Sequence, residues 1–240
     1  ATSDKSGELN RQALEKTEAI KSFFREAKAY LQETTHTATN LKQEAVKGLF
    51  DNSRKLFIHA GEVKQMLLAI DFVKEFGFNV VIVGGEASWQ IAPLLKANNI
   101  AVILNAAHRL PFTEDEDYDQ PFKTPAILQK AGVLFALNDD ANNARYRNLA
   151  FNAGTAAAFG LTKEEALSAI TLNAAKILGI DTKTGSIEPG KDANIIISEG
   201  DILDMRTSII TNAFIQGRQV DLASKQTQLY ERYMGKYGLK

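Results

Sequence analysis

Cysteine is absent from the 240-residue chain, so its chemistry includes no disulfide, thiolate nucleophile or thiolate metal ligand. The absence leaves the compartment open, cytoplasmic or periplasmic, because a cysteine-free chain folds in either redox setting. Histidine is nearly as scarce. His36, His59 and His108 are the only three, and no two have the spacing of a metal pair. No stretch approaches the ~20 apolar residues that cross a bilayer, so no membrane partner is expected. An excess of positive charge is also missing: 28 Lys and Arg face 29 Asp and Glu. That balance does not indicate the basic surface of a nucleic-acid binder, and no nucleic-acid partner is expected. The start, Ala1-Thr2-Ser3-Asp4-Lys5, lacks both an initiator Met and the basic-then-apolar pattern of a secretory leader. The expectation is a processed or excised chain whose native start lies upstream.

What is present is an alternation of helical and strand patterns. Residues from about 8 to 50 read as helix, with Leu14, Ile20, Phe23, Phe24, Ala27, Tyr30 and Leu31 near a 3.6 period. A break is expected around Thr34–Asn40, where four threonines lower helix propensity. Short apolar strands follow at Lys55–His59, Asn79–Val83, Ile100–Leu104 and Val133–Leu137. Helices are expected between them at Glu62–Phe76, Glu86–Asn98 and near Pro125–Ala131. Two more follow at about Asn148–Phe159 and Lys163–Leu178, the latter opened by the capping box Thr162…Glu165.

Apolar strands separated by helices imply βα units and a parallel sheet covered on both faces. Two architectures fit: an open doubly wound sheet, or part of a β/α barrel. A complete barrel needs eight strands in about 250 residues. Four strands amount to half of one at most. The last third changes character. The turn-rich Gly185–Asn194 leads into Ile195-Ile196-Ile197 and then the alternating Ile209–Ile215, an antiparallel signal. Gln226–Tyr237 reads as a terminal helix or frayed end.

The stretch GSIEPGKDAN at 185–194 resembles the segment by which amidohydrolases leave their barrel for a small β-sandwich. Asn194 stands where the family usually has Asp. Thr171–Gly179 and the preceding Glu164–Leu167 resemble the family's last barrel helix. The likeness runs from about Leu56 to Val220, and the nearest members are imidazolonepropionase-like amidohydrolases. The resemblance implies an α/β chain: a partial (β/α)8 TIM-type barrel, its second half of about four strands over residues 1–184. Part of the composite β domain and a helix or tail would follow over 185–240.

It also implies a hydrolase acting on non-peptide C–N bonds of a small substrate. A divalent metal, zinc by expectation, would lower the pKa of a bound water and a carboxylate would take its proton. In the family the ligands come from successive barrel strands, and the resemblance carries some of them over. The His-x-His of the first strand has no counterpart here. His59 matches the fifth-strand metal ligand. The sixth-strand His falls at Gly84, which has no side chain. Asp140 matches the last-strand Asp, a metal ligand and the catalytic base, with Asp139 one residue earlier; strand alternation lets only one of the two face inward. His108 and Arg109 in one strand-to-helix loop, and Arg145 in the next, are the expected substrate-binding residues. The acidic run Glu114–Asp119 reads as a solvated loop.

Gly84 opens an alternative: an amidohydrolase-like protein that binds a ligand without hydrolysing it. An unrelated flavodoxin-like binding domain fits the four strands but leaves the tail and GSIEPGKDAN unexplained. A half barrel also exposes strand edges, which are adhesive. Homo-oligomers formed through those edges are therefore expected.

Overall fold

A computed structural model describes residues 2–36, 38–111, 114–139 and 146–239. The chain divides into two compact units, 1–102 and 103–240. In the first, the long helix α1 (Thr2–Gln32) is followed by the short α2 (Leu41–Ala45) and α3 (Lys47–Phe50), then β1 (Leu56–Ala60), α4 (Val63–Phe76), β2 (Val80–Gly84) and α5 (Ala92–Ala97). Strand β3 (Ala101–Leu104) lies at the division. The second unit holds α6 (Gln120–Lys130), β4 (Phe135–Leu137), α7 (Leu149–Ala158), α8 (Lys163–Ile170) and α9 (Leu172–Leu178). Strands β5 (Ile195–Ser198), β6 (Ile210–Ile215) and β7 (Arg218–Gln219) and helix α10 (Lys225–Tyr237) complete it. The strand orders are β1-β2-β3-β4 in one sheet and β5-β6-β7 in the other. The α/β fold class expected from the alternation is the one observed.

Aromatic packing organises the first unit. Phe24 on α1 meets Phe78 at 5.1 Å between ring centroids and Phe72 on α4 at 6.0 Å. Phe50 on α3 meets Phe78 at 4.9 Å. Such pairs contribute about 0.5–1.5 kcal/mol each beyond their buried area, so this cluster fastens α1 and α3 to α4. At its rim Lys21 sits over the Phe72 ring and within 3.8 Å of Asp71 and Glu75. Beyond the cluster, Gly77 closes α4 in the left-handed conformation, φ 74°, with its N–H donating to the Val73 carbonyl, as a C-terminal cap requires.

Two helices depart from the sequence reading, each for a backbone reason. In place of one helix over 86–98, a 3₁₀ turn at Ser88–Ile91 precedes α5. Pro93 lies in the first turn of α5 and has no N–H to extend the α-ladder back to Trp89. The helix expected over 163–178 divides at Thr171, φ −130° and ψ −91°. There the hydroxyl donates back to the Leu167 carbonyl at 2.7 Å, a local bond that competes with helix continuation.

The start of α8 carries its expected cap. The Glu165 N–H donates to Thr162 Oγ1 at 3.2 Å, and Glu165 Oε2 accepts from the Thr162 N–H at 2.8 Å. These bonds, the Thr162 backbone N–H first and its hydroxyl next, hold the Glu165 carboxyl below its ordinary range. A depressed carboxylate contributes stability above its unfolded pKa and loses it as pH falls through the lowered folded value. Far-UV circular dichroism from pH 6 down to 2 is therefore expected to show an acid-side loss of helix that is smaller in E165Q. Equal losses in both proteins would remove the capping account.

The GSIEPGKDAN segment is a hydrogen-bonded brace. The Lys191 ammonium donates to Ser186 Oγ at 2.6 Å and to Glu188 Oε1 at 3.2 Å, while the Ser186 hydroxyl donates to Glu188 Oε1. Asn194, in the place of Asp, uses both ends of its amide. Nδ2 donates to Thr184 Oγ1, and Oδ1 accepts from the Gln216 N–H at 3.0 Å. An Asp would lose the first of these as a donor. The brace delivers the chain to β5, which pairs antiparallel with β6 in the register Ile195↔Phe214 and Ile196↔Ala213. Gln216 and Gly217, both at positive φ, join β6 to β7, the two-residue geometry that suits a twisted hairpin. Ile196, Ile197, Ile209 and Ile215 are all exposed. Helix α10, capped by Ser224 and Gly238, has no buried residue.

Candidate functional site

In a parallel sheet built of βα units, ligands meet the C-terminal ends of the strands. The first unit offers the ends of β1 and β2, which pair in the register His59↔Val83 and Ala60↔Gly84. His59 is exposed at the end of β1. Its cross-strand partner is Val83, so by alternation His59 and Val83 share one face, while position 84 is level with Ala60. The turns after the two strands are laced by backbone bonds, Gly85 N–H to the Ala60 carbonyl at 2.8 Å and Ala87 N–H to the Gly61 carbonyl at 2.9 Å. Gly84 and Gly85 have φ of 109° and 62°. Behind the turn after β1, Gln65 Oε1 accepts from the Gly61 and Glu62 N–H groups.

The second unit offers the loop from β3 to α6 and the end of β4. His108 is exposed and lies 5.2 Å from the Phe122 ring centroid. Its Nε2 is 3.4 Å from Thr155 Oγ1. The Thr155 hydroxyl also donates to the Phe151 carbonyl at 3.1 Å. Arg109 forms a forked pair with Glu116, at 2.7 and 3.1 Å, and donates to the Leu110 carbonyl. The Glu116 side chain is only 5% exposed. The acidic run is therefore not uniformly solvated: one carboxylate is taken in to hold Arg109, and Asp119 pairs with Lys123 at 2.7 Å. At the end of β4 the Asn138 N–H donates to the Leu104 carbonyl, and Asp139 is buried, 3% exposed. Asp140 and Arg145 lie outside the described residues.

Sequence reasoning named His59, His108 and Arg109, and it raised Asp139 only as the neighbour of Asp140. Thr155 is not among those readings, and Glu116 figures there only as one acid of a solvated run. A threonine forty-seven positions from its histidine leaves no local pattern, and Glu116 is one acid among several.

Four parallel strands in βα units, followed by a braced turn and an antiparallel sheet, define an α/β chain of the kind built from barrel units with an added β domain. The profile of the amidohydrolase family matches residues 10–223. Imidazolonepropionase from Picrophilus torridus is 35% identical over 150 residues, which cover 61% of this chain and 36% of that protein. A crystal structure of an amidohydrolase from Thermotoga maritima superposes with a TM-score of 0.73 at 31% identity, over 85% of this chain and 55% of that one. The ochratoxinase of A. niger, 20% identical with a TM-score of 0.54 over 72% of this chain and 43% of that one, shares the fold. The chain belongs to the amidohydrolase family. It spans about a third of the length of that imidazolonepropionase and about half of those solved structures.

Members of this family generally use a divalent metal. Among the described residues, no group of three His, Asp or Glu side chains is placed to hold one. At β2 the obstacle is visible. A Cβ on Gly84 would lie 3.0 Å from Glu86 Oε2 and 3.2 Å from the Ala60 carbonyl oxygen. The described residues thus do not fit a metal centre by themselves.

Proposed function

We propose that this chain is the C-terminal part of an amidohydrolase-family hydrolase that cleaves a non-peptide C–N bond of a small substrate. Residues up to 184 would supply the second half of the barrel, and residues 185–240 part of its β domain. The carrying observation is the family match over residues 10–223, which spans both the βα units and the brace.

Within that reading His59, exposed at the end of β1, supplies one imidazole of the family's metal site, with zinc as the expected metal. Asp140 supplies the carboxylate. His108 meets the substrate through its imidazole, its ring held by Thr155 and Phe122. Arg109, forked onto Glu116, holds the loop that presents His108, and Arg145 completes the substrate contacts. Association between copies through strand edges belongs to the same reading, since a partial barrel leaves edges unpaired; a concentration-independent monomer in sedimentation argues against it.

The test is hydrolysis of a panel of cyclic amides and ureido compounds by the protein with its upstream residues, followed by acid release. Turnover is expected, with kcat/KM lowered at least about tenfold in H59A. A second reading, ligand binding without hydrolysis, is favoured by Gly84. Calorimetric binding of a panel member with no turnover would establish it in place of the hydrolase.

A further inference from the structure

We propose that the end of β2 excludes a metal-ligating side chain by its backbone geometry, so that a histidine placed at position 84 does not become a ligand. A glycine where the family resemblance leads one to expect an imidazole has two explanations. Either the composition changed and the backbone still holds the place, or the backbone itself has moved out of reach. The conformation selects the second. Gly84 has φ 109°, a region that L side chains rarely adopt. Its missing Cβ would meet two oxygens, Glu86 Oε2 at 3.0 Å and the Ala60 carbonyl at 3.2 Å. The Glu86 carboxylate ends a flexible side chain and can swing away. The Ala60 carbonyl cannot, because it belongs to paired strand β1 and accepts the Gly85 N–H at 2.8 Å. Relief at Glu86 therefore leaves both the contact at Ala60 and the strain.

The register adds a second reason. Gly84 is level with Ala60, whereas the residue level with His59 is Val83. Val83 is in ordinary strand conformation, with no positive φ. Of the two positions, 83 is the one from which a side chain meets His59. This inference stands on the backbone of β1 and β2 and does not rest on the hydrolase reading.

The experiment titrates the whole chain with Co²⁺, followed by d–d absorption and calorimetry, and measures thermal unfolding alongside. The variants are G84A, G84H, V83H and the double variant H59A/V83H. G84A is expected to melt several degrees below the native chain. G84H is expected to bind Co²⁺ no tighter than the native chain. V83H is expected to bind at least about tenfold tighter, and H59A/V83H to lose that gain. If G84H does not fold, G84A decides the question by itself. G84A melting with the native chain overturns the proposal, as does a G84H affinity equal to that of V83H. V83H without any gain overturns the placement of His59 opposite position 83.

Discussion

Gly154→Ala is expected to destabilise the protein by about 2 kcal/mol, although alanine is the better helix former. Gly154 lies inside α7, and a Cβ there would stand 2.1 Å from the Leu203 carbonyl oxygen and 3.1 Å from its carbon. The opposing group is backbone, so no side-chain rotation relieves it. Its turn is also tied down: the Leu203 N–H donates to Asp201 Oδ1, the other oxygen of that carboxylate accepts from Lys163, and the Thr207 hydroxyl donates to the Asp201 carbonyl. Overpacking costs about 1–3 kcal/mol, and a fixed backbone puts this site at the upper end. Alanine returns about 1 kcal/mol of helix propensity. Gly235 in α10 is the control, since nothing lies within 4 Å of its added Cβ. There the same change should stabilise by up to about 1 kcal/mol. Urea midpoints for G154A and G235A should move in opposite directions. A G154A midpoint at or above the native one would show that α7 and the Leu203 turn do not press together.

The contrast between Gly154 and Gly235 shows what patterns along a chain can and cannot carry. Both are single glycines in helices, and nothing in their neighbours separates a close approach from open space. Periodicity located β1 through β4 well, because strands with Val80, Val81 and Ile82 all buried must read as continuous apolar runs. Capping chemistry located the start of α8 for the same local reason. The division of α8 from α9 was not legible, since it hangs on a hydroxyl of Thr171 choosing the Leu167 carbonyl. At the candidate site, the gap at Gly84 could be read directly, but its φ could not. Nor could the sequence say that Asp139 is buried. Alternation shows only that the Asp139 and Asp140 carboxylates part. The Arg109–Glu116 fork sits in a loop with five acids within reach, and choosing among them takes coordinates.

Gly185 opens the segment that resembles the family motif, and the physics of that position sets the last expected result. It has φ 98°, and an added Cβ would meet Ala175 Cβ at 2.6 Å, Leu172 Cα at 3.1 Å and the Thr171 carbonyl at 3.3 Å. Two penalties therefore coincide in G185A: about 1–2 kcal/mol for a positive φ and about 1–3 kcal/mol for overpacking. Gly190, five residues on in the same brace, has φ 88° and nothing within 4 Å, so G190A carries the first penalty alone. Chemical unfolding should rank native above G190A above G185A, with the gap between the two variants measuring the contact with α9. A double-mutant cycle can assign that gap. Ala175→Gly alone should cost about 1 kcal/mol in helix propensity. Combined with G185A it should cost less than the sum, because it removes the atom the new methyl strikes; contacting residues couple by about 0.5–3 kcal/mol. Equal stabilities for G185A and G190A would mean that the first glycine of the brace answers only to its dihedral angle. A coupled pair would mean that glycine at 185 is what lets the brace close against the last helix before the antiparallel sheet.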